Sequence, residues 1–176
     1  MSRKLDLPAV DQQRWGIAQA KDNGALLLVR FNETAGEWAG HADLPIKLGF
    51  AVPLNRPNEG GLPDAAENAE LLAIEDVICR HVLAKAVGLH ALTLTTGVMK
   101  EWVFYIAPDV DIATLHADIR GHVTSHEVQC MAVEESRTVL SLRNRSVRHH
   151  RHDSLTCRCS RRAAVRYTAT TGNRSG

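Results

Sequence analysis

The chain has 176 residues, 44% of them hydrophobic, with 21 Lys and Arg against 20 Asp and Glu. That length suits one domain with a sizeable core. No apolar run approaches the roughly 18–20 residues that span a membrane, and the opening MSRKLDLPAVDQQRW has no apolar signal region, so a cytoplasmic location without membrane contact is expected.

The near-neutral total conceals a split. Residues 1–136 hold 11 of the Lys and Arg and 19 of the acids, whereas residues 137–176 hold ten Arg, no Lys and the single acid Asp153. An acidic body is therefore followed by a basic tail, and the two need separate readings. Of the four cysteines, Cys79 and Cys130 lie in apolar patterns and read as buried thiols, while Cys157 and Cys159 belong to the tail. An even count in a chain without an export signal does not make a disulfide framework.

In chain order, residues 15–20 and 25–32 are strand-like, and Asn23-Gly24 between them is a strong hairpin signal. Residues 33–43 read as a loop. Residues 46–52 alternate, with Ile46, Leu48, Phe50 and Val52 on one face, and Pro53 and Pro57 end the strand. A helix follows, with Asp64 as N-cap and Glu67 three residues on, a capping-box pair. Leu71, Ile74, Ile78 and Val82 form its apolar stripe and Gly88 its expected stop. Residues 89–96 and 101–107 are the next strands, joined by a loop at 97–100. A second helix spans about 111–122 around Ile112, Leu115 and Ile119, and residues 126–133 read as the last strand.

This order predicts an α+β domain. A ferredoxin-like antiparallel sheet (β-α-β-β-α-β) is preceded by an N-terminal β-hairpin, with both helices on one face. Residues 1–11 are an N-terminal arm, 12–135 the domain, and 136–176 an Arg-rich tail expected to be disordered, because its composition cannot bury enough apolar surface to offset the entropy of ordering.

Several groups could carry chemistry. Glu67, Glu70, Glu75 and Asp76 could hold a cation or act as acid and base, but no further ligand stands at the right spacing, and they read as a solvated helix face. Asn58-Glu59-Gly60-Gly61-Leu62-Pro63 leads into a helix N-terminus, where Gly60 and Gly61 could cradle an anion, or simply make a tight connection. It lacks the Lys and Ser/Thr of a P-loop. On the aromatic strand Trp102, Phe104 and Ile106 point one way, and Val103, Tyr105 and Ala107 the other. An open sheet face with aromatics can stack bases, but the body is acidic and an RNP pattern is absent.

The body histidines His41, His81, His90, His116, His122 and His126 are scattered, without HExxH or Cys-x-x-Cys, so no metal site or cofactor is expected. Serines of the body are few (Ser2, Ser125, Ser136), and no GxSxG marks a nucleophile. In the tail, His149, His150, His152, Cys157 and Cys159 could bind metal only adventitiously, and its arginines could bind nucleic acid through counterion release.

The run Gly97-Val98-Met99-Lys100-Glu101-Trp102-Val103-Phe104-Tyr105 resembles the G-x-(R/K)-E-W-x-F-Y strand of the bacterial domain-of-unknown-function family 695. Val29-Arg30-Phe31-Asn32, and Gly61-Leu62-Pro63 ahead of a helix with Leu71, Leu72 and Ile74-Glu75, support the likeness over about residues 12–135. The resemblance implies a ferredoxin-like fold, similar to the regulator of ribonuclease E B family, which acts by binding protein, and no established activity. The family closes with an acidic-Pro-x-Trp segment and a final Tyr. Here Glu134-Glu135 runs instead into Ser136-Arg137-Thr138-Val139-Leu140, so an out-of-frame origin is the expectation for the tail.

The reading is therefore a small regulatory or protein-binding module with an unidentified protein partner, with nucleic acid expected only through the tail. The open sheet face and the 97–100 loop are the expected contact surface, with Lys100, Glu101, Trp102 and Tyr105 as binding residues beside Gly60 and Gly61. Its rival is a hydrolase or transferase built on body carboxylates or histidines.

Overall fold

The computed structural model describes residues 5–38, 40–134, 155–159 and 163–167. Its elements run β1 (Trp15–Asp22), β2 (Ala25–Asn32), β3 (Ile46–Pro53), α1 (Ala65–Lys85), β4 (Gly88–Thr95), β5 (Met99–Ile106), α2 (Ile112–His122) and β6 (Gln129–Glu134). All six strands join one antiparallel sheet in the order β1-β2-β4-β5-β3-β6. The chain is thus an α+β domain with a six-stranded antiparallel sheet and two helices. The N-terminal hairpin extends the sheet beyond β4.

The hairpin turn is built as its residues dictate. Asn23 (φ 50°) and Gly24 (φ 87°) both take the left-handed conformation, which matches the twist of the flanking strands. At the far end of the hairpin the Asn32 side chain is buried. Its oxygen accepts from the Thr34 and Ala35 amides of a 3-10 turn at Glu33–Glu37, and its Nδ2 donates to the His90 carbonyl 3.0 Å away.

Helix α1 begins where expected, with Asp64 accepting from the Glu67 amide at 2.7 Å. It ends three residues before the predicted stop. Lys85 is its last residue, Ala86 is already extended, and Gly88 opens β4 against Ile106. A Cβ at Gly88 would lie 2.4 Å from the Tyr105 carbonyl, so Gly88 is there for strand proximity rather than helix termination. The loop expected at 97–100 is shorter, because Met99 and Lys100 already belong to β5.

Both helices cover one face. Leu71, Ile74, Ile78 and Val82 of α1 and Leu115 and Ile119 of α2 share a core with Leu48, Phe50, Val52, Trp102, Phe104 and Ile106. These strand residues alternate along β3 and β5, so they project to one side of the sheet. Burying each large side chain contributes roughly 1.5–3 kcal/mol.

The opposite face is not the open surface expected. Leu5 and Leu7 of the N-terminal arm, Ala35, Trp38 and Leu44 cover it by packing against Leu89, Ala91, Tyr105 and Ala107. Within the tail, Leu155–Cys159 and Ala163–Tyr167 (β7 and β8) pair as a separate two-stranded sheet. The rest of the stretch expected to be disordered lies outside the described residues. Among the described residues no helix is long and apolar enough to cross a membrane.

The β4–β5 turn is fixed by the segment between β3 and α1. The Asn58 amide donates to the Gly97 carbonyl at 2.6 Å, and the Leu54 amide to the Val98 carbonyl at 2.9 Å. A Cβ at Gly97 would fall 1.7 Å from the Asn58 oxygen, whereas one at Gly121 in α2 meets nothing. Gly97→Ala is expected to destabilise the domain by about 1–3 kcal/mol, and Gly121→Ala to be neutral or stabilising. Urea melts of the two variants check the contrast.

Candidate functional site

A register shift in β4 decides which of its residues face α1. His90 pairs with Phe104, yet Thr93, three residues on, pairs with Trp102, because the register shifts between His90 and Leu92. His90, Thr93 and Thr95 therefore share the helix-facing side. The register then lines up two rows across the sheet: Ile17, Arg30, Thr93 and Trp102 in one, and Gln19, Leu28, Thr95 and Lys100 in the other.

Where the hairpin extends past α1, these rows floor a cleft of about 270 Å3. Its polar lining is Arg30, Thr93, Thr95, Lys100 and Asn68. Its apolar lining is Ile17, Leu28, Leu62 and Pro63.

Glu75 organises the charge beside this cleft. It accepts from Arg30 Nη2 on one oxygen, and on the other from Trp102 Nε1 at 2.8 Å, with Lys100 Nζ at 3.4 Å. Burial pushes the Glu75 carboxyl up, but the Trp102 and Arg30 hydrogen bonds and the two cations outweigh it and hold it below the usual range. Burial also pushes the Lys100 ammonium down, against the pull of Glu75.

Two cations thus share one carboxylate, and one positive charge is left over. Lys100 is 7% exposed and lies 5.5 Å above the Trp102 ring. Arg30 lies 4.9 Å over Trp15, and its buried Nε has no hydrogen-bond partner.

Behind Glu75 stand Cys79 and His90, close enough for the three to share a metal ion. The donor chemistry does not favour one. His90 Nε2 faces the Leu92 carbonyl at 3.1 Å, which only accepts, so Nε2 carries the proton and Nδ1 takes the Cys79 thiol proton at 3.7 Å. Burial pushes the Cys79 thiol up to about 12 and His90 down to about 4, so both are neutral. Both Glu75 oxygens are engaged, and Arg30 and Lys100 repel a further cation. His90 is stacked on Phe104 at 4.7 Å as part of the core.

A second polar cluster joins α1 to two loops. Glu67 is fully buried and accepts from the Asn55 and Arg56 amides at 2.7 and 3.2 Å, and contacts His126 Nε2 at 2.9 Å. Burial pushes its carboxyl up, but these hydrogen bonds and the Arg56 charge hold it low. Ser125 Oγ lies 3.0 Å from His126 Nδ1. The arrangement ties the loops before α1 and after α2 to the first turn of the helix.

The acidic residues of α1 are therefore not one solvated face. Glu67 and Glu75 are buried while Glu70 is partly exposed. Glu67 and Glu75 stand four residues either side of Leu71, on the buried stripe, and that spacing was the signal. The capping box is one-sided, because the Glu67 side chain turns to the loops.

The residues expected to bind do not form one surface. Lys100 and Trp102 face α1, and Trp102 is fully buried. Glu101 and Tyr105 face the other way, Glu101 buried across Gly49 and Tyr105 half-buried under the N-terminal arm. Gly60 and Gly61 form a turn in which the Gly61 amide is already given to the Asn58 carbonyl at 2.9 Å. Of these six only Lys100 lines the cleft. Arg30, Thr93, Thr95 and Asn68 join it there.

Fold and cleft together define a small α+β domain with a cleft lined in part by Arg30 and Lys100. The family model described as "Family of unknown function (DUF695)" matches residues 13–136, and the chain belongs to that family. No curated protein matches the chain, and no solved structure does.

Glu75→Gln should expose the dependence on charge, because it leaves Arg30 and Lys100 facing each other. The expected loss is about 3–5 kcal/mol near neutral pH. A carboxyl held low in the folded state stabilises above its ordinary value of 4.5 and loses that contribution as pH falls through its depressed value. Wild-type stability should therefore decline below about pH 4.5 more steeply than that of Glu75→Gln. Thermal melts from pH 3 to 7 measure both slopes.

Proposed function

We propose that the domain is a small regulatory binding module whose cleft between α1 and the N-terminal hairpin receives a small organic acid. The carboxylate sits against Lys100 and Arg30, and the carbon skeleton lies on Ile17, Leu28, Leu62 and Pro63. The observation that carries this reading is the uncompensated positive charge of the Arg30–Glu75–Lys100 group at the floor of a partly apolar cleft. A desolvated charge without a counter-ion is unfavourable, and an incoming monoanion relieves it. The Thr93 and Thr95 hydroxyls and the Asn68 amide offer neutral hydrogen bonds around the head group.

The residues quoted for the family likeness at 30, 62, 63, 75, 100 and 102 meet at this one place, which supports placing the shared function there. Catalysis has less support, because the buried thiol and imidazole next to the cleft are held neutral and engaged with each other. We also read β3 to β6 with both helices as a ferredoxin-like core carrying an added hairpin. The chain order and the β4-β5-β3-β6 adjacency support that reading.

Lys100→Met tests the site. It keeps the buried stem and leaves Arg30 and Glu75 balanced. Since the folded state holds the Lys100 ammonium below its ordinary 10.5, its charged form is disfavoured by folding at neutral pH, and that penalty fades only as pH rises towards 10.5. Lys100→Met should therefore melt at or above the wild-type temperature. In ligand-observed NMR with short aliphatic and aromatic acids, wild type should bind acids over their matched amides. Lys100→Met should bind the acids at least tenfold more weakly, about 1.4 kcal/mol. Equal affinity of the two proteins for the acids would remove the cleft as the site.

A further inference from the structure

On the far side of α1 from the cleft, one histidine from each helix meets. His81 of α1 and His122 of α2 have ring centroids 4.6 Å apart, with planes tilted by 55°. Each ring is fixed by its own helix in the same way. His81 Nδ1 lies 2.7 Å from the Val77 carbonyl, and His122 Nδ1 lies 2.8 Å from the Asp118 carbonyl, both four residues back.

A backbone carbonyl only accepts, so each Nδ1 carries the ring proton and donates it. In the neutral form of each ring the lone pair is then on Nε2. That is the tautomer imidazole adopts as a metal ligand, where the other ring nitrogen donates to a carbonyl or carboxylate.

The two rings belong to helices that pack against each other. α1 and α2 pack through the shared core, and Lys85 of α1 pairs with Asp118 of α2. Asp118 stands one turn before His122. The Lys85 contact holds its carboxyl low. His122 is exposed and His81 half-buried, so solvent reaches the pair.

We propose that His81 and His122 form an open two-imidazole site for a borderline divalent cation of the zinc class, clamping α1 to α2, with water in the remaining positions and Asp118 as the neighbouring counter-charge. Imidazole nitrogen suits Zn2+, Ni2+ and Cu2+, whereas Mg2+ and Ca2+ prefer oxygen. Zn–N bonds are about 2.0–2.1 Å, so two nitrogens sharing one ion lie about 3.3 Å apart, within reach of rings this close. The site differs from the Glu75–Cys79–His90 group in that neither imidazole is engaged with a thiol and the neighbouring carboxylate is on the surface.

The tail carries His149, His150, His152, Cys157 and Cys159, so metal stoichiometry alone is no readout. Binding to the folded helix pair, by contrast, raises the melting temperature of the domain. With the full chain, zinc chloride at a hundredfold excess over its Kd should raise Tm by about 5–10 °C, while magnesium chloride should not. His81→Ala and His122→Ala, each at an accessible position, should both abolish the rise.

Ni2+ should broaden backbone amide NMR signals centred on residues 81 and 122 in wild type and in neither variant. A zinc-dependent rise that survives either substitution, or no rise in the wild-type chain at millimolar zinc, overturns the proposal. Nickel broadening confined to residues beyond 136 does so too.

Discussion

Glu75 is the carboxylate on which the arrangement of charge beside the cleft depends. It sits on the buried side of α1 and gathers Arg30 from β2, Lys100 and Trp102 from β5 into one network. Apolar packing alone would seal α1 to the sheet, as it does under α2. The carboxylate instead allows two cations to remain in a mostly desolvated place. Replacing such a network with well-packed apolar groups is often neutral or stabilising, so its presence is weak evidence for stability.

The hairpin gives this network its location. Without β1 and β2 the sheet would end at β4, and Thr93 and Thr95 would lie at an edge. With them the sheet outruns the helices, and the overhang becomes a concave wall carrying Ile17 and Leu28. The opposite face follows a different logic. The N-terminal arm and the segment from Asn32 to Leu44 pack over it, which removes the sheet from solvent there. The cleft is therefore a concavity between sheet and helix rather than a flat sheet surface.

Much of the fold was legible because short-range rules and tertiary packing agree. Asn23-Gly24 selects a hairpin, alternation in 46–52 selects a strand, and Leu71, Ile74, Ile78 and Val82 select a helix, each with its buried side already marked. The site was less legible, for two reasons. Charged residues were assigned to solvent by type, although Glu67 and Glu75 share the helical spacing of Leu71 and so lie on the core side. The face of each β4 residue also depends on a bulge that no residue type announces. Strict alternation from His90 puts Leu92 on its side, whereas the structure puts Thr93 there. Arg30 went unremarked as a site residue because its significance rests on a partner 45 positions away.

The extra residue in β4 has a consequence for how this chain can change. His90 and Thr93 both face α1 with Ala91 and Leu92 between them, where strict alternation allows one residue. Losing Ala91 would therefore restore strict alternation and leave Thr93 and Thr95 facing α1 with the same partners on β5. Losing a residue from the regular part of the strand would instead turn the residues on one side of the loss to the opposite face. Insertions and deletions are usually absorbed at loops, and here the middle of a strand holds a point that can absorb one.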